Sequence, residues 1–271
     1  MVGQLRMEGL AVIRFALLII ALATFTADGA SQQMLMRRAW ASRGVGASAF
    51  SPLSLSPKVW IDASDTTTIS TTSSNTVSGW ADKSGNGFNL AQATGSKQPI
   101  YSNAVFNSLN CVAFNNAQAM QFTNLVVSAT NYTIFVAFRG RATDSLIHDL
   151  FDAQTGRLLL WQYQTPNNCA FAYLAGATYN TSIASPTNGA CILTWDLGAS
   201  PNVYLNGTAI GSSPGYTQTA IGGTVILGSR YSSDQAYLHG DIGEFILYAY
   251  TLPASDRSNV WSYLKAKWGT P

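Results

Sequence analysis

The sequence predicts an all-β fold, a sandwich or barrel of many short strands with one short helix at its C-terminal end. Three observations support this prediction. Only 10% of the 271 residues are charged, compared with roughly 25% in a typical soluble domain. Short runs of alternating apolar and polar residues follow one another from residue 57 onward, separated by turn-forming residues. Long helices are rich in Glu and Lys, whereas this chain holds only two glutamates, Glu8 and Glu244.

Charge and composition exclude two classes of protein. The formal net charge is +2, and the first 49 residues hold 5 of the 15 Lys and Arg, which leaves 10 basic and 11 acidic residues after them. A nucleic-acid-binding domain carries clustered basic residues, so we expect no nucleic-acid partner. Disorder requires low hydrophobicity with high charge, and 47% of this chain is hydrophobic.

The N-terminal segment differs from the rest of the chain. In residues 1–29, Arg6 and Arg14 precede an apolar run of about 11 residues (15–25), which is shorter than the roughly 20 residues that span a bilayer. This pattern is typical of a secretory signal or signal-anchor. Two alternatives stay open: a short helix packed on a partner subunit, or a true start at Met34 or Met36. We assign residues 30–54 to a flexible arm and 55–271 to the domain, with no membrane span in the mature domain.

Nine runs define the clearest strands of the domain, and one turn defines its clearest hairpin. Asn206-Gly207 separates two apolar runs, and this dipeptide favours a two-residue hairpin turn because both residues tolerate positive φ. The strand runs are residues 58–62, 112–114, 132–138, 158–163, 169–173, 191–195, 203–205, 225–227 and 242–248.

The last element is the predicted helix. Ser255 is its expected N-cap and Gly269 its expected end, with Lys265 and Lys267 suited to the last turn. Its expected apolar stripe consists of Val260, Trp261, Leu264 and Trp268.

An odd number of cysteines does not form a disulfide framework. Cys111, Cys169 and Cys191 each lie in an apolar run, which favours buried free thiols. One bridge between two of them stays open for an exported protein.

Three stretches, in this order, resemble the laminin-G-like domains of the concanavalin A-type jelly-roll family. They are residues 55–65 with 77–87, residues 203–207, and residues 240–248 followed by 251–257 and the terminal helix. The resemblance implies a two-sheet antiparallel jelly-roll sandwich. Members of this family occur in secreted and surface proteins and in phage virion proteins, as binding or structural modules. Because the fold hosts many functions, the function has to be argued from a site.

The resemblance also makes glucanase activity a function to consider, since some relatives are glucanases that carry two glutamates on one strand. Those glucanases need two carboxylates flanking the scissile bond. Glu244 is the only glutamate after residue 8, and no carboxylate follows it two or four residues later. We therefore expect no enzymatic activity and interpret Glu244 as a structural residue of the closing strand.

Calcium is the one metal that the resemblance suggests, because related domains often bind it at the sandwich rim. Ca²⁺ prefers six to eight oxygen ligands, and the candidates by residue type are Asp62, Asp65, Asp82 and Asp241, together with Asn86. No calcium loop of the EF-hand type is present, and these aspartates also suit turns in which they accept backbone N–H groups. We therefore expect that the domain requires no cofactor, with bound calcium as the alternative.

Two polar patches with aromatic residues are the candidate ligand-binding surfaces. One is the loop at residues 230–239, with Tyr231, Asp234 and Tyr237, and the other is the segment at residues 161–168, with Trp161 and Tyr163. His148 and Asp149, with Asp144 and Asp152 beside them, suggest a metal site or a base with its orienting acid. We instead expect a solvated loop there, because proximity in sequence does not place a catalytic group.

These observations lead to one main hypothesis. The domain is expected to be a non-catalytic binding or adhesion module, displayed on a virion or cell exterior, that recognises a glycan or a surface protein. The first alternative is an architectural virion component, a part of the capsid or tail, which contacts its neighbours through residues 30–54. The less favoured alternative is a divergent glycan-active enzyme.

Overall fold

The computed structural model describes residues 50–271, except 73, 145, 156–157, 166–167, 175–176, 182–188, 213–219 and 232–235. The side chains of residues 161–181 and 212 also lie outside the description. The expected signal segment (1–29) and residues 30–49 of the expected arm fall outside the described residues. Among the helices that are described, none is long and apolar enough to cross a membrane.

The described residues form strands connected by short turns, three single-turn 3-10 helices and a terminal α-helix. The 3-10 helices are Pro52–Leu55, Thr66–Thr68 and Gly95–Lys97, and the α-helix α1 is Ala254–Trp268. The strands are β1 (Val59–Asp62), β2 (Ile69–Thr71), β3 (Val77–Trp80), β4 (Leu90–Ala91), β5 (Ile100–Phe106), β6 (Leu109–Asn115), β7 (Met120–Phe122), β8 (Tyr132–Gly140), β9 (His148–Thr155), β10 (Leu158–Thr165), β11 (Asn168–Leu174), β12 (Ala177–Thr181), β13 (Cys191–Leu197), β14 (Asn202–Leu205), β15 (Thr208–Ser212), β16 (Gly222–Leu227) and β17 (His239–Tyr248).

Two antiparallel sheets make up the domain, which confirms the predicted sandwich. The first sheet has eight strands in the order β15-β14-β13-β8-β17-β6-β5, with β1 also paired to β17. The second has nine strands in the order β12-β11-β10-β9-β16-β7-β4-β3-β2. Strand β17 pairs with three strands of the first sheet. Strand β8 pairs along one of its edges, and β6 and β1 pair with successive parts of the other edge.

The main core lies between the two sheets, where the inward residue of each alternating pair is buried. Trp80, Phe122 and Phe151 come from the nine-stranded sheet, and Phe138 and Trp195 come from the other; all five are fully buried. A second apolar cluster lies on the outer face of the eight-stranded sheet, beneath α1. Burial of large apolar side chains is the main stabilising contribution in both clusters.

Helix α1 covers part of that outer face. Val260, Leu264 and Trp268 are buried there, as the predicted stripe requires, whereas Trp261 lies half-buried at its border. Gly269 ends the helix with a left-handed φ of 65°, the conformation glycine adopts most readily. The predicted cap at Ser255 is wrong: the helix begins at Ala254 after Pro253, whose fixed φ suits a helix start.

Other local predictions have a defined outcome. Asn206 and Gly207, with φ values of 50° and 80°, form the predicted tight hairpin between β14 and β15. Cys111 and Cys191 are buried free thiols, as predicted, and burial raises the pKa of both; the side chain of Cys169 lies outside the described residues.

Residues 50–54 belong to the folded domain, although the sequence assigns them to the arm. The ring of Phe50 lies 6.1 Å from that of Tyr263, Pro52 is buried, and the Tyr248 hydroxyl donates to the Pro52 carbonyl at 3.4 Å. The apolar contact with the cluster beneath α1 explains this difference, because it extends the packed chain five residues upstream.

Candidate functional site

The loop between β16 and β17, residues 228–238, is the centre of the candidate site, and we call it the β16–β17 loop. Its base is closed by the Leu238 N–H, which donates to the Gly228 carbonyl at 2.8 Å. Gly228 has a φ of 92°, and a Cβ there would lie 2.5 Å from the ring of Phe114. Only glycine fits this close approach in that conformation.

Two buried carboxylates of β9 hold the first half of this loop. Asp149 accepts from Arg230 Nε at 2.8 Å, and Asp152 accepts from the Tyr231 backbone N–H at 3.1 Å. Both aspartates are fully buried. A buried carboxylate is costly unless it is paired, so these bonds fix the loop to the strand.

The second half of the loop is held by the start of β9. The Asp149 N–H donates to the Ala236 carbonyl at 2.9 Å. His148 Nδ1 lies 2.7 Å from the Tyr237 carbonyl oxygen, and its Nε2 lies 2.7 Å from Asp144 Oδ1. Burial opposes ionisation of Asp144, but the bond to His148 keeps the pKa of this carboxyl below its usual value. Both ends of the loop are thus anchored to one strand.

The anchored loop borders a cleft of about 530 Å³, which we call the loop cleft. Its floor includes Gln121 and Ile226, the outward-facing residues of two paired strands. Its volume lies within the range of about 300–1,000 Å³ typical of small-ligand sites. The cleft is lined by Gln92, Thr94, Lys97, Ala119, Met120, Gln121, Ile226, Ser229, Arg230, Tyr231 and Tyr237.

Polar groups in the loop cleft are held in defined orientations. Gln92 Nε2 donates to the Ala119 carbonyl at 2.6 Å, and its Oε1 accepts from the Thr94 N–H at 3.0 Å. Arg230 brings a charge that Asp149 already balances. The cleft therefore combines two tyrosines, amide and hydroxyl groups, and the ammonium group of Lys97.

The structure brings together two of the five predicted ligand-binding residues. Tyr231 and Tyr237 both line the loop cleft, whereas Asp234 lies outside the described residues. Trp161 and Tyr163 lie on β10, with Tyr163 paired to His148 of β9, and the side chains of both are also outside the description. The positions of the two β10 aromatic rings stay predictions.

The rest of the lining could not be found from the sequence. Gln92, Lys97 and Gln121 come from three separate segments before residue 122. Each is a common polar residue with no neighbouring motif. The pairing of β4, β7 and β16 brings Gln121 and the end of β4 beside the β16–β17 loop, and the Ala119 N–H, which donates to the Lys97 carbonyl at 3.1 Å, connects the 3-10 helix to the segment before β7. Long-range strand pairing of this kind leaves no local signal in the sequence.

Comparison with known proteins identifies the family. A model of the concanavalin A-like lectin/glucanases superfamily matches residues 114–256. The chain belongs to this superfamily. No curated protein matches the chain in sequence.

Several solved structures have a similar fold, although their sequences are only 11–16% identical to this chain. The binding domain of botulinum neurotoxin serotype D matches with a TM-score of 0.58 and 12% identity, over 82% of this chain and 56% of that one. Domain 4 of an extracellular arabinanase from Geobacillus stearothermophilus, solved with arabinotriose, matches with a TM-score of 0.53 and 16% identity, over 68% of this chain and 91% of that one. Trypanosoma rangeli sialidase, solved with sialic acid, matches with a TM-score of 0.56 and 11% identity, over 83% of this chain and 35% of that one. The chain thus spans about half of the neurotoxin domain and a third of the sialidase.

The four aspartates considered as calcium ligands form ion pairs or hydrogen bonds with other groups of this chain. Asp62 lies 2.7–2.8 Å from Lys83 and Lys267, and Lys83 also reaches Asp65 at 2.9 Å. Burial opposes ionisation of Asp62, but the two lysines keep its pKa below the usual value. The Thr67 hydroxyl and Lys83 lower the pKa of Asp65 to about 2.

The other two candidates are also engaged. Asp82 accepts from the Trp60, Ser84 and Phe88 N–H groups at 2.9–3.1 Å, as expected for a turn-fixing aspartate. Asp241 accepts from Arg139 at 2.6 Å and lies 3.2 Å from Arg141. Asn86 Nδ2 donates to the Pro57 and Lys58 carbonyls at 3.1 Å. Within the described part of the chain, no three acidic, His or Cys side chains form a group that could hold a metal.

Glu244 is fully buried beneath α1 and accepts four hydrogen bonds. Its Oε1 accepts from Trp60 Nε1 at 2.6 Å and from the Tyr263 hydroxyl at 2.9 Å, and its Oε2 accepts from Lys267 Nζ and Trp268 Nε1, both at 2.8 Å. Burial raises the pKa of Glu244 and Lys267 counteracts it. The four donors connect β1, β17 and α1 through this side chain, which gives it a structural role.

The expected solvated loop at His148 and Asp149 is wrong. Both residues lie on β9, where His148 is 2% exposed and Asp149 is fully buried. Their partners on the β16–β17 loop explain this burial, since Arg230 and the Tyr237 carbonyl supply the bonds that water would otherwise make. The polar residues that suggested a loop are the anchors of the candidate site.

Proposed function

We propose that this domain is a non-catalytic glycan-binding module and that the loop cleft is its binding site. The observation that carries this proposal is the placement of Tyr231 and Tyr237 in one cleft with Gln92, Gln121 and Thr94. Sugar rings combine apolar C–H faces with hydroxyl groups. Aromatic rings with an adjacent polar handle suit such mixed surfaces, and the amide and hydroxyl groups supply hydrogen bonds.

The anchored loop makes this cleft ready for binding. Arg230 and the backbone of Tyr231 are fixed to buried aspartates, and Gln92 is held by two hydrogen bonds of its own. Groups that are already ordered lose less conformational entropy on binding. A weakly bound sugar therefore keeps more of the free energy of its contacts than it would on a mobile loop.

Similar structures support the choice of a glycan as the ligand. The arabinanase domain was solved with arabinotriose and the sialidase with sialic acid, and the neurotoxin match is a binding domain. A shared fold does not carry a function by itself, so the tyrosine-lined cleft remains the primary argument. A surface protein that carries such a glycan is the partner that this proposal implies.

Binding without cleavage is the second part of the proposal. Most glycoside hydrolases use two carboxylates that reach the scissile bond. Asp149 and Asp152, the carboxylates that bind the first half of the β16–β17 loop, are fully buried, and Glu244 is buried among its four donors. We therefore place the domain among binding modules and propose display outside the cell or on a virion surface, where a glycan ligand is available.

A glycan array tests the binding proposal, with the wild-type chain compared to Tyr231→Ala and Tyr237→Ala. Tyr250→Ala is the matched control, because Tyr250 is 40% exposed and does not line the cleft. We expect wild type and Tyr250→Ala to bind the same glycans and both cleft variants to lose them. Equal binding by all four proteins would exclude the loop cleft, and absence of any bound glycan would refute the lectin assignment.

Two additions to the array test the remaining points. Binding should persist in EDTA, because the aspartates considered for calcium already have lysine, arginine or backbone partners; loss of binding in EDTA would require a metal in the site. The bound oligosaccharide should be recovered intact after incubation with the protein. Release of new reducing ends would show that the domain is an enzyme.

A further inference from the structure

The anchor of the second half of the β16–β17 loop is a histidine placed between two acceptors. His148 is 2% exposed; its Nδ1 lies 2.7 Å from the Tyr237 carbonyl oxygen, and its Nε2 lies 2.7 Å from Asp144 Oδ1. Burial opposes ionisation of Asp144, but the bond to His148 keeps its pKa below the usual value, so this carboxyl is ionised above about pH 5. Both ring nitrogens therefore face oxygens that accept and do not donate.

Two acceptors require two ring protons. A neutral imidazole has one N–H and one lone pair, whereas an imidazolium donates from both nitrogens. His148 therefore makes both bonds only when it is protonated. Histidine is the side chain that ordinarily gains or loses its charge between about pH 5 and 8, and when this ring loses a proton, one of its two bonds is lost.

The bond that is lost is the bond to the loop. A hydrogen bond to a carboxylate is stronger than one to a neutral carbonyl, so the remaining proton stays on Nε2, facing Asp144. Nδ1 of His148 then presents a lone pair to the Tyr237 carbonyl. A buried acceptor without a donor costs free energy, which moves the Tyr237 peptide group away from β9.

Other ionisable groups surround His148 without taking its place. They are Asp144 before β9, Arg141 at the end of β8, Tyr163 on β10, His239 and Asp241 on β17, and Arg230 on the loop. Arg230 is paired with Asp149, and Arg141 lies 3.2 Å from Asp241. The ring centroid of His239 lies 6.3 Å from that of His148, and burial, followed by the charge of Arg141, lowers the pKa of His239.

We propose that His148 is a pH-dependent positioning residue of the loop cleft, which holds the β16–β17 loop when it is protonated and releases it when it is neutral. This inference rests on the proposed function of the cleft and adds its regulation. Tyr237 lines the cleft, and its own carbonyl is the group that His148 holds. Because ordered groups lose less conformational entropy on binding, the cleft binds its glycan more tightly at low pH, and the affinity falls as the pH rises.

The first test needs no glycan. The chain has two histidines, His148 and His239, so labelling the full chain with ¹⁵N-histidine gives the ring spectra of two residues, which His239→Gln assigns. The ring ¹⁵N shifts distinguish the imidazolium from each neutral tautomer. We expect His148 to be an imidazolium at about pH 5.5 and to carry its proton on Nε2 at about pH 8.5.

The Leu238 amide reports on the loop in the same samples. It belongs to the same peptide group as the Tyr237 carbonyl, and its N–H donates to the Gly228 carbonyl at 2.8 Å. Its protection against hydrogen exchange, corrected for the intrinsic effect of pH, should be about fivefold lower at the higher pH, the factor for one net hydrogen bond.

Asp144→Asn separates this role from a merely structural one. The Asn amide can donate to Nε2 as well as accept from it, so a neutral ring keeps its proton on Nδ1 and its bond to Tyr237. Calorimetric titration of an array-selected glycan should show an affinity about fivefold lower at about pH 8.5 than at about pH 5.5 in wild type, and equal affinities in Asp144→Asn. His239→Gln is the matched control and should keep the pH dependence of wild type.

Three results would overturn the proposal: the same protonation of the His148 ring at both pH values, equal protection of Leu238 at both, or the pH dependence of wild type retained in Asp144→Asn. His148→Asn, which keeps a donor near the position of Nδ1 and does not titrate, is the second variant if Asp144→Asn does not fold, and it should also lack the pH dependence. Absence of any bound glycan would refute the proposed function, whereas the ring shifts and the Leu238 amide would still decide whether His148 releases the loop.

Discussion

Glu244 shows how a residue that suggests catalysis is used for structure. The side chain is fully buried, and two indole N–H groups, a tyrosine hydroxyl and an ammonium group donate to its two oxygens. A side chain with fewer acceptor oxygens at this position would leave some of these buried donors without a partner. The sequence could identify Glu244 as a lone glutamate, but the four donors come from β1 and α1, which are distant in sequence.

Glu244→Gln tests this structural role. The amide group of Gln would face donors, and the ion pair with Lys267 would be lost. Lys267 keeps its ion pair with Asp62, so the main cost is that of buried donors left without an acceptor, and we expect a loss of about 1–3 kcal/mol in the free energy of unfolding by urea. Asp65→Asn is the control, because Asp65 is 31% exposed in its pair with Lys83 and such pairs contribute less than about 1 kcal/mol. Equal losses of unfolding free energy in the two variants would contradict the structural role of Glu244.

The ion pair of Asp65 also gives an acid dependence of stability with a defined sign. The pKa of Asp65 is lowered from 3.8 to about 2, so its contribution is complete above the unfolded pKa and is lost as pH falls towards 2. Burial raises the pKa of Glu244, so this carboxyl takes up its proton at a higher pH than Asp65 does. We expect the free energy of unfolding to fall less between about pH 5 and about pH 2.5 in Asp65→Asn than in wild type, with a difference of at most about 1 kcal/mol. An identical fall in both would contradict this assignment.

At the scale of elements, tight turns were predictable and anchored loops were not. Asn206-Gly207 specifies its hairpin through two positive φ values, which is a local property of two residues. The β16–β17 loop depends on Asp149, Asp152 and His148 of β9, about 80 residues earlier. Polar residues in a sequence indicate solvent exposure, whereas here their partners in the loop allow them to be buried.

The β14–β15 hairpin offers a matched pair of glycine substitutions. Gly207 and Gly87 have φ values of 80° and 79°, but a Cβ at Gly207 would lie 2.9 Å from the Trp261 ring while one at Gly87 would meet nothing within 4 Å. Gly87→Ala should lose about 1–2 kcal/mol through backbone strain alone. Gly207→Ala should lose at least about 1 kcal/mol more in urea unfolding, because it also overpacks the helix contact. Equal losses would show that Trp261 moves away without cost.

At the scale of the whole molecule, the fold was predictable and the loop cleft was only half predictable. Alternation along each strand sets which face is buried, so the sequence already contains the all-β sandwich, and the order of three motifs indicated the family. Tyr231 and Tyr237 stood out because they lie in one polar loop. Gln92, Lys97 and Gln121 did not, because they come from separate segments that only the folded sandwich brings to that loop.

The central claim is that the loop cleft of this sandwich binds a glycan. The most direct test is calorimetric titration of an array-selected oligosaccharide into wild type, Tyr237→Ala and Tyr250→Ala. Removal of a central aromatic contact typically costs about 2 kcal/mol or more, so Tyr237→Ala should raise the Kd at least about thirtyfold while Tyr250→Ala leaves it unchanged. The same Kd for wild type and Tyr237→Ala would contradict the account.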